Sequence, residues 1–378
     1  MATAPAVPNI WCDEDRHRKY EDYSDFNDWF DGPDGAVIRA QAGVEGLANP
    51  SKAFFAGDRA AYDVTLAGYR LDRRDEWLSR PALEELCGDA HWFDRNTTRF
   101  DQLCNRLESG DVVPFIGAGL SQPGGFPTWK DHLRQQWRTA NLSADEVEVM
   151  LAAGDYEGIV ARIEQLRSRP IFVQELRDAF DRNGMLPSSL YLVAELFRDT
   201  LITTNYDRLI EQSFDVGSGL QVEVLTPATV RQAPDAGKVT VIKLHGDIQA
   251  PGGCILSKDQ YDAAYGADGI DLSKDIPQAL EYYFRNSSLL FLGCSLNQDR
   301  AIRVFEAIRA SLAQDAPDLP QHFSLEQCPA DQEGLAARNK TLLEIGITPI
   351  WFPAGEFDFV EGILRLARNE LRYRRQLP

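Results

Sequence analysis

The strongest constraint on the fold is a succession of short apolar runs separated by stretches of helical period. The runs are "VVPFI" (112–116), "LITT" (201–204), "VTVIKL" (239–244), "SLLFLG" (288–293), "HFSLE" (322–326) and "ITPIWF" (347–352). Each has the length of a strand and is apolar on both faces, as in a sheet covered on both sides. Strands of this kind alternating with helices predict an α/β fold, a doubly wound, Rossmann-like parallel sheet. Pro114 conflicts with a regular central strand, because it has no N–H for the ladder. Either the first strand is irregular there, or the proline occupies a position that needs no donor.

Five helical patterns fill the interval from 129 to 200: "WKDHLRQQWRTA", "ADEVEVMLAAG", "YEGIVARIEQLRS", "IFVQELRDAF" and "SSLYLVAELFRD". They form a helical insertion after the first strand. Thr128 and Asp131 resemble an acidic capping box at its start. Upstream, Phe100, Leu103, Cys104 and Leu107 recur at helical spacing, and Gly110 can end that helix. The chain is read as an N-terminal extension over residues 1–95 and a catalytic domain over 96–378. In the extension, Tyr23, Phe26, Trp29 and Phe30 interleave with acids, too aromatic a pattern for a disordered tail. They are expected to pack on the main domain or on another subunit.

The totals exclude several classes. A net charge of −19 disfavours a sequence-independent grip on DNA, which needs Lys and Arg to neutralise phosphates. The basic C-terminus, with Arg365, Arg368, Arg372, Arg374 and Arg375, suits the negative end of a last helix, or a docking partner. No run approaches a membrane span, and "MATAPAVPNIWCDEDRHRKY" lacks the pattern of a secretory signal, so a cytoplasmic location is expected. The six cysteines (Cys12, Cys87, Cys104, Cys254, Cys294 and Cys328) contain no C-x-x-C pair and cannot build a zinc ribbon. No metal is expected.

Ligands of such sheets bind beyond the carboxyl ends of the strands, and four ends here carry polar sequences. They are Gly117-Ala118-Gly119-Leu120-Ser121, Asn205-Tyr206-Asp207, His245-Gly246-Asp247, and Gly293-Cys294-Ser295-Leu296-Asn297 followed by Asp299. The first departs from G-x-G-x-x-G, since position 122 is Gln, but a glycine turn can offer N–H groups to a pyrophosphate. Taken singly, His245 reads more readily as a structural histidine and Asn205 as a turn residue. Asp207 reads as an N-cap for "RLIEQSF". Cys294 has no base beside it and reads as a small buried residue.

As an ordered set, "GAGLS", "TTNYD", "LHGD" and "GCSL" resemble the sirtuin family over roughly residues 100–370. The resemblance implies an NAD+ site. Gly117, Ala118, Gly119, Ser121, Gly293 and Ser295 would approach its phosphates and ribose, Asp207 would contribute to the same site, and Asn205 and His245 would flank the nicotinamide ribose. Two departures matter. The four-cysteine zinc module of protein-deacylating sirtuins is missing, and "GFPTWK" stands where they carry G-I-P-D-F-R. Both, with the insertion, resemble the sirtuin-like NAD-cleaving domains of bacterial antiphage defence, and among those the subunit that pairs with a HerA-type ATPase. That resemblance implies a homo-oligomer with an ATPase partner. The chain itself has no G-x-x-x-x-G-K-[ST] loop.

The implied reaction is hydrolysis of NAD+ to nicotinamide and ADP-ribose. Nicotinamide leaves a cationic pyridinium as a neutral pyridine, so no acid is needed on the leaving group, unlike an ordinary glycosidase. Asn205 would orient ribose or water, and His245 would accept a proton. A non-catalytic sensor of NAD or ADP-ribose is the first alternative, and a zinc-free protein deacylase the second.

Overall fold

The computed structural model describes residues 19–296, 299–312 and 319–375. Cys12 and Asn297 lie outside the described residues. The chain divides into two compact units, residues 105–361 and residues 1–104 with 362–378. The sequence reading divides the chain instead at residue 95 and keeps residues 362–378 with the catalytic domain.

The larger unit is built on one sheet of seven parallel strands in the order β3-β4-β2-β1-β5-β6-β7. These are β1 (Val112–Ile116), β2 (Thr200–Thr203), β3 (Val222–Leu225), β4 (Val239–Lys243), β5 (Ser288–Leu292), β6 (His322–Gln327) and β7 (Ile347–Phe352). Six correspond to the apolar runs. The seventh, β3, is the half-buried "VEVL", whose alternation with a glutamate hid it from a search for continuous apolar runs. Pro114 sits in the central strand β1. Pairing with β5 covers all of β1, but pairing with β2 begins only at Phe115, beyond the proline.

In the smaller unit, the helices are α1 (Ser24–Asp31), α2 (Ala36–Gln41), α3 (Pro50–Gly57), α4 (Arg59–Trp77) and α5 (Arg80–Cys87). Helix α6 (His91–Ser109) leads into β1 and ends at Gly110, whose φ of 77° suits glycine. The β1–β2 crossover is the helical insertion: α7 (Trp129–Thr139), α8 (Ala144–Ala152), α9 (Tyr156–Arg167), α10 (Arg169–Phe180) and α11 (Ser188–Leu196). Thr128 caps α7 by accepting the Asp131 N–H at 3.2 Å. Then follow α12 (Leu209–Gly217), α13 (Lys258–Tyr265), α14 (Asp275–Asn286), α15 (Arg300–Ser311), α16 (Gln332–Glu344) and α17 (Asp358–Arg374).

The aromatics of the opening segment do not wait for another surface. Tyr23, Phe26 and Phe30 of this unit form a core with Phe54, Phe55, Tyr62, Leu66 and Tyr373. Its polar atoms are served internally, with Asn27 donating to the Tyr20 carbonyl at 2.8 Å and Tyr373 to Asp25 at 2.6 Å. Arg372 and Arg374 occupy the last turn of α17, opposite in sign to Asp358 and Glu361 in its first, as the helix dipole favours. Among the described residues no helix is long and apolar enough to cross a membrane.

Two buried polar devices hold the sheet. Lys243, at the end of β4 and fully buried, donates to the Asp207 carbonyl at 2.6 Å and pairs with Glu211 at 2.8 Å and Asp247 at 3.4 Å. At the start of β6, His322 accepts the Leu289 N–H at 3.1 Å and stacks on Phe284 at 4.0 Å between centroids. Burial holds His322 neutral down to about 3 and His132, on α7, down to about 4.

Lys243→Met should destabilise the protein by about 3–5 kcal/mol in chemical denaturation, because Glu211 and Asp247 stay buried without their cation. Adding Glu211→Leu should recover part of the loss. The two histidines set an acid limit. Unfolded chains protonate them near 6.5 while the folded protein does not, so stability is intact above that pH and falls below it. The slope is about 1.4 kcal/mol per pH unit for each group. His322→Asn, which keeps an acceptor near the Nδ1 position, should flatten the decline measured between pH 7 and 5.

Candidate functional site

The site forms where strand order reverses, between β1 and β5, and extends along the ends of β2 and β4. At the reversal two loops interlock. Gly117 donates to the Leu292 carbonyl at 2.9 Å and Gly119 to the Gly293 carbonyl at 3.0 Å. A Cβ on Gly117 would lie 2.5 Å from the Gly293 oxygen, and one on Gly119 2.9 Å from Gly293 Cα. Gly293 has φ 65°, and a Cβ there would meet the Leu120 nitrogen at 2.6 Å. The glycines are therefore required first by the approach of one loop to the other.

That packing changes the donor inventory. Leu120 and Ser121 also spend their N–H groups inside the loop, on the carbonyls of Gly117 and Ala118. Among the described residues the Ala118 N–H has no acceptor, so the loop offers fewer free amides than its composition implies. Gly119 and Ser295 are exposed, Ala118 and Gly293 half-buried, and Gly117 and Ser121 buried. A ligand approaching from solvent meets Gly119 and Ser295 first.

Asn205 bridges the first two motifs. Its Nδ2 donates to the Gly117 carbonyl and to Ser121 Oγ, each at 3.1 Å, and its own N–H donates to Thr203 Oγ1 at 3.0 Å. Asp207 accepts the Leu209 N–H at 3.0 Å, but Arg208 occupies the N-cap of α12 without a side-chain cap, so Asp207 turns the chain one residue before the cap position that the sequence reading gives it. Burial raises the Asp207 carboxyl above the usual range, against the pull of its hydrogen bond with Leu209 and of Lys243.

His245 stands on the neighbouring strand end. Thr203 pairs with Lys243 across β2 and β4, so Asn205 and His245 are each two residues beyond the same rung. Gly246, at φ 99°, turns the chain away where a Cβ would lie 2.8 Å from Cys254 Cα. The imidazole is buried, with Tyr265 Oη 3.0 Å from Nε2 and Tyr261 Oη 3.4 Å from Nδ1. Burial lowers its pKa from 6.5, and the charge of Asp299 acts in the opposite direction. Cys294 donates weakly to the Phe115 carbonyl at 3.4 Å, and burial pushes its thiol far up, as suits a packing residue rather than a nucleophile.

Sequence reasoning assigned no role to Tyr261, Tyr265, Arg338 or Glu326. Arg338 donates to the Ser295 carbonyl at 3.1 Å and the Leu296 carbonyl at 3.4 Å, and is paired with Glu326 at 3.1 Å. It braces a turn in which Leu296 adopts φ 45°, an unfavourable conformation for leucine. Glu326 is raised by burial to about 6 despite that arginine. The i, i+4 spacing of the two tyrosines places them on one face of α13, a signal indistinguishable from ordinary helix packing.

Asn205, Ser121 and the two glycine loops are thus joined by direct hydrogen bonds, Asp207 follows Asn205 by two residues, and His245 lies one strand away. Among the described residues there is no cluster of His, Cys, Asp and Glu that could hold a metal. Residues 199–350 match the family model described as the SIR2-like domain. The chain is 27% identical over 228 residues to the NAD(+) hydrolase ThsA of Acinetobacter baumannii (strain 532279), covering 60% of this chain and 44% of that protein. It is 29% identical over 214 residues to the NAD(+) hydrolase ThsA of Cytobacillus dafuensis, covering 55% and 40%. For the protein of the same name from Enterococcus faecium the identity is 29% over 211 residues, covering 55% and 42%. The chain spans less than half the length of these relatives. What the comparisons show is likeness to the SIR2-like domain over residues 199–350 and to part of proteins named as NAD(+) hydrolases.

Proposed function

We propose that this chain hydrolyses NAD+ to nicotinamide and ADP-ribose. The observation that carries the reading is the double hydrogen bond from the Asn205 amide to Gly117 and Ser121. It places an amide between the interlocked glycine loops and the strand end that bears His245. The similarity to proteins named NAD(+) hydrolases supports the same reading.

The dinucleotide phosphates would lie along Ala118, Gly119 and Ser295, the more open side of the loops. The nicotinamide ribose would reach Asn205. As the glycosidic bond stretches, positive charge moves from the pyridinium to the ribose, and the departing nicotinamide is neutral. Water adds to the anomeric carbon and must lose a proton. His245, neutral at physiological pH because burial lowers its pKa, accepts it. The role of this activity would be depletion of NAD+ in antiphage defence, in a homo-oligomer with a HerA-type ATPase as partner. That assembly follows from the sequence resemblance alone, and it fits an enzyme that would otherwise drain its own cell.

Free nicotinamide, assayed with purified protein and its partner, tests the reaction. His245→Ala should lower the rate by about 10²–10⁴-fold while NAD+ binding persists. Asn205→Ala should damage rate and affinity together, because its amide also holds Gly117 and Ser121 in place. Full nicotinamide release from both variants would refute the assigned roles. The rate should decline with acidification only below pH 6.5, since protonation of His245 is displaced downward. Wild-type protein that binds NAD+ and never releases nicotinamide would instead be a sensor. Light scattering and co-purification with the ATPase test the assembly, and stoichiometric zinc in metal analysis would contradict the metal-free reading.

A further inference from the structure

Arg300 stands where its own helix gains nothing from it. It is the first residue of α15, directly after the N-cap Asp299, and a cation there opposes the helix dipole. Its side chain is largely buried, as are the two carboxylates paired with it. Nε and Nη2 each donate to Glu157 at 2.7 Å, Nη2 also to Asp262 Oδ1 at 2.6 Å, and Nη1 to the Gly266 carbonyl at 2.9 Å. A planar fork serves these partners in several directions at once, which a lysine ammonium does not reproduce.

The partners belong to different parts of the fold. Glu157 lies on α9 of the helical insertion, whereas Asp262 is on α13 and Gly266 is its C-cap. At 8 residues, α13 is too short to be stable without outside support. A capping box of Ser257 and Gln260 forms its start, and Gln260 Oε1 accepts from Arg169 of α10 at 2.9 Å. The insertion therefore grips α13 at both ends, directly through Arg169 and, from Glu157, by way of Arg300. Between the grips stand the two tyrosines that face the proposed base. The Tyr261 ring lies 5.2 Å from that of His245 between centroids, and Tyr265 Oη lies 3.0 Å from Nε2. The Arg300 guanidinium is itself 5.7 Å from the Tyr261 ring centroid, and the Gly266 carbonyl it binds follows Tyr265 directly in the chain.

We propose that Arg300 and Glu157 are positioning residues through which the helical insertion holds Tyr261 and Tyr265 against His245. They act through α13, at a distance from the glycine loops and Asn205. A change in the stance of the insertion is thereby felt at His245, and the guanidinium is the link that carries it.

The activity consequence rests on the proposed NAD+ hydrolysis, but the coupling does not, and the two can be separated. Glu157→Gln removes the charge that ties Arg300 to the insertion and leaves the guanidinium its bonds to α13. Amide hydrogen exchange over residues 258–266 should then run about 10-fold faster than in wild type, with β1, β2 and β5 unchanged. The His245 ring signals, assigned among the five histidines of the full chain by His245→Gln, should shift in the same variant. Arg300→Lys should produce both effects more strongly. Adding Glu157→Gln to it should change little further, since the two substitutions cut one connection. In nicotinamide release, Glu157→Gln should lower kcat about 3–10-fold with KM within about twofold, because the glycine loops are untouched. A purely structural role would instead lower the melting temperature and raise exchange throughout the larger unit, with kcat per folded enzyme unchanged. That result overturns the proposal. So do wild-type exchange over α13 and wild-type His245 signals in both single variants, or fully additive effects in the double variant. Should Arg300→Lys fail to fold, Glu157→Gln carries the test alone. The expected exchange and ring shifts, with no nicotinamide release from wild type, would leave the coupling standing and refute the hydrolase reading.

Discussion

The arrangement of the site depends on one buried ammonium. Lys243 sits at the end of β4 without exposure to solvent, and its charge is met by Glu211 from α12 and Asp247 from the loop beyond β4. Its hydrogen bond to the Asp207 carbonyl adds the loop after β2 to the same cluster. A cation at such a position is tolerated only where carboxylates and carbonyls replace its water. That requirement fixes two strand ends relative to each other. Asn205 and His245 follow from it, since each lies two residues beyond a paired rung.

The other half of the site depends on steric demand rather than charge. Gly117, Gly119 and Gly293 meet backbone to backbone, closer than any Cβ allows. Loop packing and ligand approach ask for the same residue, so glycine alone does not distinguish them. The hydrogen-bond inventory does. It leaves Ala118 with an unused amide and Gly119 and Ser295 on the open side, which narrows the surface available to a phosphate. Arg338 holds the Ser295 turn from helix α16, so residues distant in sequence set the geometry of a short motif.

The smaller unit shows how aromatic content can substitute for length. Its helices α1 and α3 are each 8 residues long, marginal on their own. Edge-to-face packing of Phe26 and Phe55 on Tyr62, and stacking of Phe30 on Phe54, give them a shared interior. The acids between these aromatics are partly used inside the unit, as when Asp31 accepts from both the N–H and hydroxyl of Ser51 at 2.7 Å.

Sequence alone determined the parallel α/β class, six of the seven strands, the five crossover helices and the polar strand ends. These are local properties: apolar runs of strand length, 3.6-residue periodicity, and caps such as Thr128. It left β3 unread, because a half-buried edge strand carries a glutamate where a central strand carries an aliphatic residue. It also could not tell whether the opening aromatics would cover another surface or one another, since pairing with Tyr373 crosses more than three hundred residues. The site divides in the same way. Asn205, His245, Ser121 and the glycines were legible because glycine, asparagine and histidine at strand ends are uncommon and appear in order. Lys243, Arg338, Tyr261 and Tyr265 were not, because a lysine in an apolar run or a tyrosine on a helix acquires its meaning only from what folding brings beside it.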